Sequence, residues 1–129
     1  MNKKLLITGS ILGMLGIILG AFAAHGLKAL ISTAAIATFE TGVRYQIYHA
    51  FFLLFLGNTT MVSLKMKSYI FYCILFGVLL FSGSIYGLAT NVLTVIDFKT
   101  IGFVTPIGGL GLICGWGLLL WAVYKHKVN

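Results

Sequence analysis

The chain has 129 residues, 60% of them hydrophobic and 9% charged, with a mean hydropathy of +1.05. This excludes a soluble globular domain and leaves no length for a separate catalytic module, so residues 1–129 read as one all-α integral membrane domain with four transmembrane helices. The net charge of +7 does not indicate a nucleic-acid partner, because the nine basic residues stand at the ends of apolar runs and do not cluster on one helix or loop.

The first span is expected over 5–24. A basic start and Ala21-Phe22-Ala23 also resemble a signal peptide with its cleavage site, but the apolar run is long enough to cross about 30 Å of hydrocarbon and reads as a retained span. Gly9, Gly13, Gly16 and Gly20 line one face, a groove for close approach of another helix. His25-Gly26 can end this helix, with Gly26 in the left-handed C-terminal position. The alanine-rich link that follows predicts a short interfacial segment, with Leu27, Leu30 and Ile31 against the headgroup boundary and Ser32 or Thr33 capping the next helix.

The second span, 39–57, holds the only ionisable side chains inside an apolar run. Helical periodicity puts Glu40, Arg44, Ile47, Tyr48 and Phe51 on one face, with Gly42, Tyr45, Gln46, His49 and Leu53 on the other. A helix that is polar on two sides should meet protein on both, which predicts a central helix leaving only a Val43, Ile47, Ala50, Leu54 strip for lipid.

The third span is expected over 68–90, with Tyr69 and Tyr72 at one boundary and a polar second half containing Ser82, Ser84, Tyr86 and the small pair Gly83 and Gly87. Residues 92–104 carry Asp97 and Lys99 and are placed at the outer surface. The fourth span is expected over 106–124, Thr105 capping and Pro106 opening the helix, with Gly108, Gly111 and Gly115 as a packing face. The alternative is that Pro106 breaks a longer helix beginning near Ile101.

Lys3, Lys4, Lys65, Lys67, Lys125 and Lys127 share one side in this arrangement, against Lys28, Arg44 and Lys99 on the other, which predicts a plasma-membrane protein with both termini cytoplasmic. Cys73 and Cys114 are read as small packing residues whose depths differ by about 9 Å, too far for a disulfide.

Several motifs together cover the chain: Gly20-Ala21-Phe22, Ala24-His25-Gly26-Leu27-Lys28, Glu40-Thr41-Gly42-Val43-Arg44-Tyr45-Gln46 with Tyr48-His49-Ala50, Phe81-Ser82-Gly83-Ser84, and Thr105-Pro106-Ile107-Gly108-Gly109 with Gly115-Trp116. In these the sequence resembles the small membrane proteins of domain of unknown function 423, whose eukaryotic relatives include transmembrane protein 256. Ala23 stands where the resemblance leads one to expect glycine. The resemblance implies a four-span helical membrane protein and, for some bacterial relatives, a connection with membrane integrity. It implies no reaction, substrate or catalytic residue.

The candidate functional cluster is therefore Glu40, Arg44, Tyr45, Gln46, Tyr48 and His49, with His25, Ser82, Ser84, Thr105 and Pro106 as secondary candidates. Glu40 and Arg44 have the order and spacing of an ion pair within one helix, either locking it to its neighbours together with Tyr48 or holding Glu40 ready as a substrate or proton site. His49, about 13 Å deeper, is read as a neutral core histidine bonded to Gln46, Tyr45, Ser82 or a carbonyl, with a functional role as the rival. No spacing suggests a metal, a cofactor or a nucleophile with its base. The expectation is a non-enzymatic bundle that self-associates through its glycine faces and supports membrane integrity or a membrane complex, with the lipid bilayer and further copies as partners. The alternative is a small oligomeric transporter or channel using His49 and Glu40.

Overall fold

The computed structural model describes residues 1–128. Four helices follow one another: α1 (Asn2–Ala24), α2 (Thr33–Asn58), α3 (Leu64–Ala89) and α4 (Val104–Lys125). A 3₁₀ turn, Leu27–Ala29, links α1 to α2, and two more, Asn91–Leu93 and Phe98–Ile101, precede α4. Three helical stretches, Asn2–Ala29, Leu64–Ala89 and Phe98–Lys125, are long and apolar enough to cross a membrane.

Close packing follows the small residues. A Cβ on Gly16 would lie 2.7 Å from the Ile47 side chain, and one on Gly9 would lie 2.9 Å from the Ala50 carbonyl. Gly13 and Gly20 face Ala50 and Val43, so the four glycines of α1 form a trough that the antiparallel α2 fills. The same device joins α3 to α4: Gly108 sits on the backbone of Leu80 and Phe81, Gly111 on Cys73 and Gly77, and Gly115 on Ile74. Gly77 completes this contact by receiving Leu112. Without a strong hydrophobic drive between helices in lipid, such backbone proximity is where dispersion energy is gained. The glycine faces of α1 and α4, expected to join copies, are thus used within one chain, because each already has a neighbouring helix at backbone distance.

The trough in α1 corrects one expectation directly. Val43, Ile47, Ala50 and Leu54 do not form an outward strip; they are the ridge seated on α1. The outward stripe of α2 is Glu40, Arg44, Tyr48, Phe51 and Phe55. Periodicity separates the faces of a helix, but which face meets protein depends on the partner's shape, and here the glycines of α1 decide it.

Other local differences have similarly simple causes. Gly26 is right-handed (φ −67°, ψ −45°), because α1 passes through His25 directly into the 3₁₀ turn and no reversal is needed. That turn buries Leu27 beneath Ala23, Phe39, Val43 and Ala89, while Leu30 stays exposed. Ser32 caps α2, its hydroxyl accepting from the Ala35 amide at 3.1 Å. α3 starts at Leu64, capped by Ser63, so Cys73 lies nine residues inside it. Cys114 lies eleven residues before the end of the antiparallel α4, so their depths are within about 3 Å, not 9 Å. Both thiols are free, and Cys73 packs between Gly111 and Gly115.

Pro106 neither opens α4 nor breaks it. It is the third residue of a helix starting at Val104, in the first turn, where amides have no intrahelical acceptor and a missing N–H removes nothing. Thr105 is consequently inside the helix and does not cap it. Gly83, expected to pair with Gly87 in packing, has no atom near its Cβ position, whereas Gly87 receives the Phe98 ring.

The contrast between Gly108 and Gly83 is measurable. A Cβ at Gly108 would run into the Phe81 nitrogen, a backbone atom that cannot turn away, so Gly108→Ala should destabilise by about 1–3 kcal/mol. Gly83→Ala meets open space and should be neutral or stabilising by up to about 1 kcal/mol through helix propensity. Reversible unfolding of the two variants in mixed micelles checks this; equal losses would refute the packing described.

Candidate functional site

The inward face of α2 reaches all three other helices through side-chain hydrogen bonds. Gln46, 4% exposed, donates from Nε2 to the Leu12 carbonyl of α1 at 2.9 Å and accepts at Oε1 from the Tyr86 hydroxyl of α3 at 2.6 Å. One turn earlier, the Gly42 carbonyl accepts from the Ser82 hydroxyl of α3 at 2.8 Å. Gly42 permits this approach, since a Cβ there would lie 2.7 Å from the Tyr86 ring.

His49, 3% exposed, connects α2 to α4. Its Nδ1 lies 2.6 Å from the Tyr45 carbonyl, and its Nε2 lies 3.0 Å from Trp116 Nε1. A carbonyl only accepts and an indole N–H only donates, so Nδ1 carries the proton and Nε2 presents its lone pair. The ring is the neutral Nδ1–H tautomer, with both nitrogens engaged. Trp116 is held in place edge-on against Phe52, centroids 4.6 Å apart. Beside them, Tyr45, Trp116, Phe81 and Leu112 bound a cleft of about 330 Å³.

A third link joins α3 to α4. Ser84 donates to the Phe81 carbonyl at 3.0 Å and is in hydrogen-bond contact with Thr105, whose hydroxyl then serves as the donor to Ser84. Every buried side-chain nitrogen and oxygen among the described residues has a hydrogen-bond partner.

The outward face is different. Glu40 and Arg44 do not form the expected ion pair; Arg44 Nη2 donates to Thr41 Oγ1 at 3.0 Å, and Thr41 donates to the Ala37 carbonyl. A hydroxyl one turn back offers the guanidinium a nearer acceptor, while Glu40 lines a cleft of about 280 Å³ with Lys28 and Thr33. Tyr48 is half exposed and meets the edge of Tyr45. His25 is exposed at the end of α1, outside the network. The cluster is thus two sites: Gln46 and His49, with the carbonyl of Tyr45, face inward, and Glu40, Arg44 and Tyr48 face outward.

Three participants escaped the sequence reading. Trp116 was visible only as a motif residue, and nothing local to α4 points it at His49. Tyr86 showed as one of several hydroxyls, without a sign that it would bond Gln46. Lys67, read as a topology signal, is 2% exposed and donates to Asn2 Oδ1 at 2.8 Å and to the Thr59 carbonyl at 2.7 Å, stapling the start of α1 to the α2–α3 turn. A lysine only two residues from another lysine gave no signal of burial.

Long apolar helices joined by a saturated polar interior define a helical membrane protein. The family model described as "Protein of unknown function (DUF423)" matches residues 19–109, more than half of the chain, and the protein belongs to this family. It is 34% identical over 126 residues to a UPF0382 membrane protein of Staphylococcus aureus, covering 95% of this chain and 97% of that one. A UPF0382 membrane protein of Haemophilus influenzae is 35% identical over 127 residues, covering 98% of each chain. A UPF0382 inner membrane protein of Escherichia coli is 34% identical over 129 residues, covering 98% of this chain and 93% of that one. No solved structure matches the chain.

Gln46→Leu removes two interhelical bonds and strands the Tyr86 hydroxyl, and should cost about 1–3 kcal/mol, more than Ser82→Ala, which removes one bond. Unfolding in mixed micelles ranks them; the reverse order would show that Gln46 is not the tie. Nitrogen-15 NMR of His49 at neutral pH should give a protonated Nδ1 and an unprotonated Nε2, and the opposite tautomer would exclude the Trp116 bond.

Proposed function

We propose that this protein is a non-catalytic structural element of the plasma membrane, in which all four helices cross the bilayer and copies associate through the outward face of α2. In this role it supports membrane integrity or a membrane complex. The observation that carries the reading is the contrast between the faces of α2: inward groups are saturated within the chain, whereas Glu40 and Arg44 point outward without pairing to each other.

α2 falls short of the other helices in apolar character because it holds Arg44, Gln46 and His49. Two of those three are bonded to helices on its flanks, and its ridge fills the α1 trough from Gly9 to Gly20, which supports its crossing alongside them. The six lysines at the end bearing both termini support a cytoplasmic location for that end.

An outward Glu40 one turn from an outward Arg44 is self-complementary. Two copies related by a two-fold axis can place each carboxylate against the other's guanidinium, and such a face closes on itself as a dimer. His49 does not share that face: it lies on the opposite side of α2 with both ring nitrogens committed. This weighs against a transport path that uses His49 and Glu40 together, and against His49 as a general base.

Charge exchange tests the association. The purified protein should cross-link as a dimer through a cysteine placed at Tyr48. Glu40→Arg and Arg44→Glu should each reduce the dimer by about tenfold, and the double exchange should restore it, since a close ion pair at an interface couples by more than about 1.4 kcal/mol. Proteoliposomes should conduct protons and common ions no faster than empty vesicles. A monomer at every concentration would end the association reading, and flux abolished by His49→Ala would replace it with transport.

A further inference from the structure

The end of the bundle that carries both termini holds a second feature, independent of α2's outward face. Where the last turn of α4 meets the α2–α3 turn there is a cavity of about 340 Å³. Lys125, His126 and Lys127 line one side and Ser63 another, while Met61 and Trp121 supply apolar wall. Lys125 Nζ stands 4.6 Å over the Trp121 ring. Ser63 caps α3 by accepting from the Met66 amide, which leaves its hydroxyl proton available, and the start of this 26-residue helix adds positive potential.

Nothing acidic on the side chains of this end balances that charge. Glu40 lies in the early turns of α2 and Asp97 before α4, both at the other end of the bundle, and they are the only acidic residues in the chain. The topology rule accounts for lysines at this end, but it requires neither a cavity nor what adjoins it. Trp121 also forms a wall of an apolar groove of about 300 Å³ that runs along α4 past Leu120 to Gly117. At Gly117 a Cβ would meet nothing within 4 Å, so the groove is open at that point.

We propose that cavity and groove together bind one anionic phospholipid of the phosphatidylglycerol type. The phosphodiester sits among Lys125, Lys127 and Ser63, and an acyl chain lies along α4 over Gly117. Basic pockets at membrane-protein ends recognise anionic headgroups by this combination of charge and apolar support. An ammonium-bearing headgroup finds no acidic side chain here, which selects against zwitterionic lipid, and the groove distinguishes a lipid from free phosphate.

The test is native mass spectrometry of the full chain in detergent, titrated with dioleoyl phosphatidylglycerol, dioleoyl phosphatidylcholine and inorganic phosphate, with circular dichroism confirming that each variant keeps its helices. The expected result is one phosphatidylglycerol per chain, bound at least about tenfold more tightly than phosphatidylcholine. Lys125→Gln with Lys127→Gln should abolish that preference. Lys3→Gln with Lys4→Gln, which removes the same charge from the same end outside the cavity, should preserve it. Gly117→Phe, whose Cβ meets nothing within 4 Å, puts a ring into the groove and should weaken phosphatidylglycerol several-fold. Equal binding of the two lipids, equal losses in the two lysine pairs, displacement by inorganic phosphate at matched concentration, or no effect of Gly117→Phe would each overturn the proposal.

Discussion

The carboxamide of Gln46 is the point on which the bundle's arrangement depends. A buried polar group without a partner is costly, and this one needs both a donor and an acceptor. It finds them on two different helices, the Leu12 carbonyl and the Tyr86 hydroxyl, so α1, α2 and α3 are fixed in rotation and in depth relative to one another. A one-residue slide of any of the three would break at least one bond and leave a buried polar group unpaired.

The two kinds of interface divide the work. Glycine troughs bring α1 to α2 and α3 to α4 at backbone distance, where shape determines the fit. Between these pairs, polar side chains provide the register: Ser82 on Gly42, Tyr86 on Gln46, and Trp116 on His49. His49 also shows why an ionisable residue inside a membrane protein need not be a site of chemistry. Its proton is held by its own helix and its lone pair by an indole, so it acts as a directional connector.

Much of this was legible from the residues themselves. The glycine spacings in α1 and α4 predicted close faces and Ser32 predicted a cap for α2; of the two polar faces expected to meet protein, the Gln46–His49 face does and the Glu40–Arg44 face is exposed. What was not legible depended on pairing. The Val43, Ile47, Ala50, Leu54 strip looks suited to lipid until the α1 trough is placed against it. The Glu40–Arg44 pair follows a sound spacing rule but loses to Thr41, a competitor whose reach depends on rotamer. Trp116 and His49 are 67 positions apart, and no periodicity connects residues on different helices. Cys73 and Cys114 lie closer in depth than expected because Ser63 caps the third helix and starts it at Leu64, four residues before the expected Ser68.

The division into two glycine-packed pairs bears on how the chain is made. α1 and α2 are neighbours in sequence and can close on each other as soon as Asn58 has been synthesised, before α3 exists. At that stage Gln46 Oε1 and His49 Nε2 have no partners, because Tyr86 and Trp116 have yet to emerge. The first pair of helices thus carries two acceptors whose donors are supplied only by the second pair. A chain ending after α2 would lack both donors, so the second pair of helices completes the hydrogen bonding of the first.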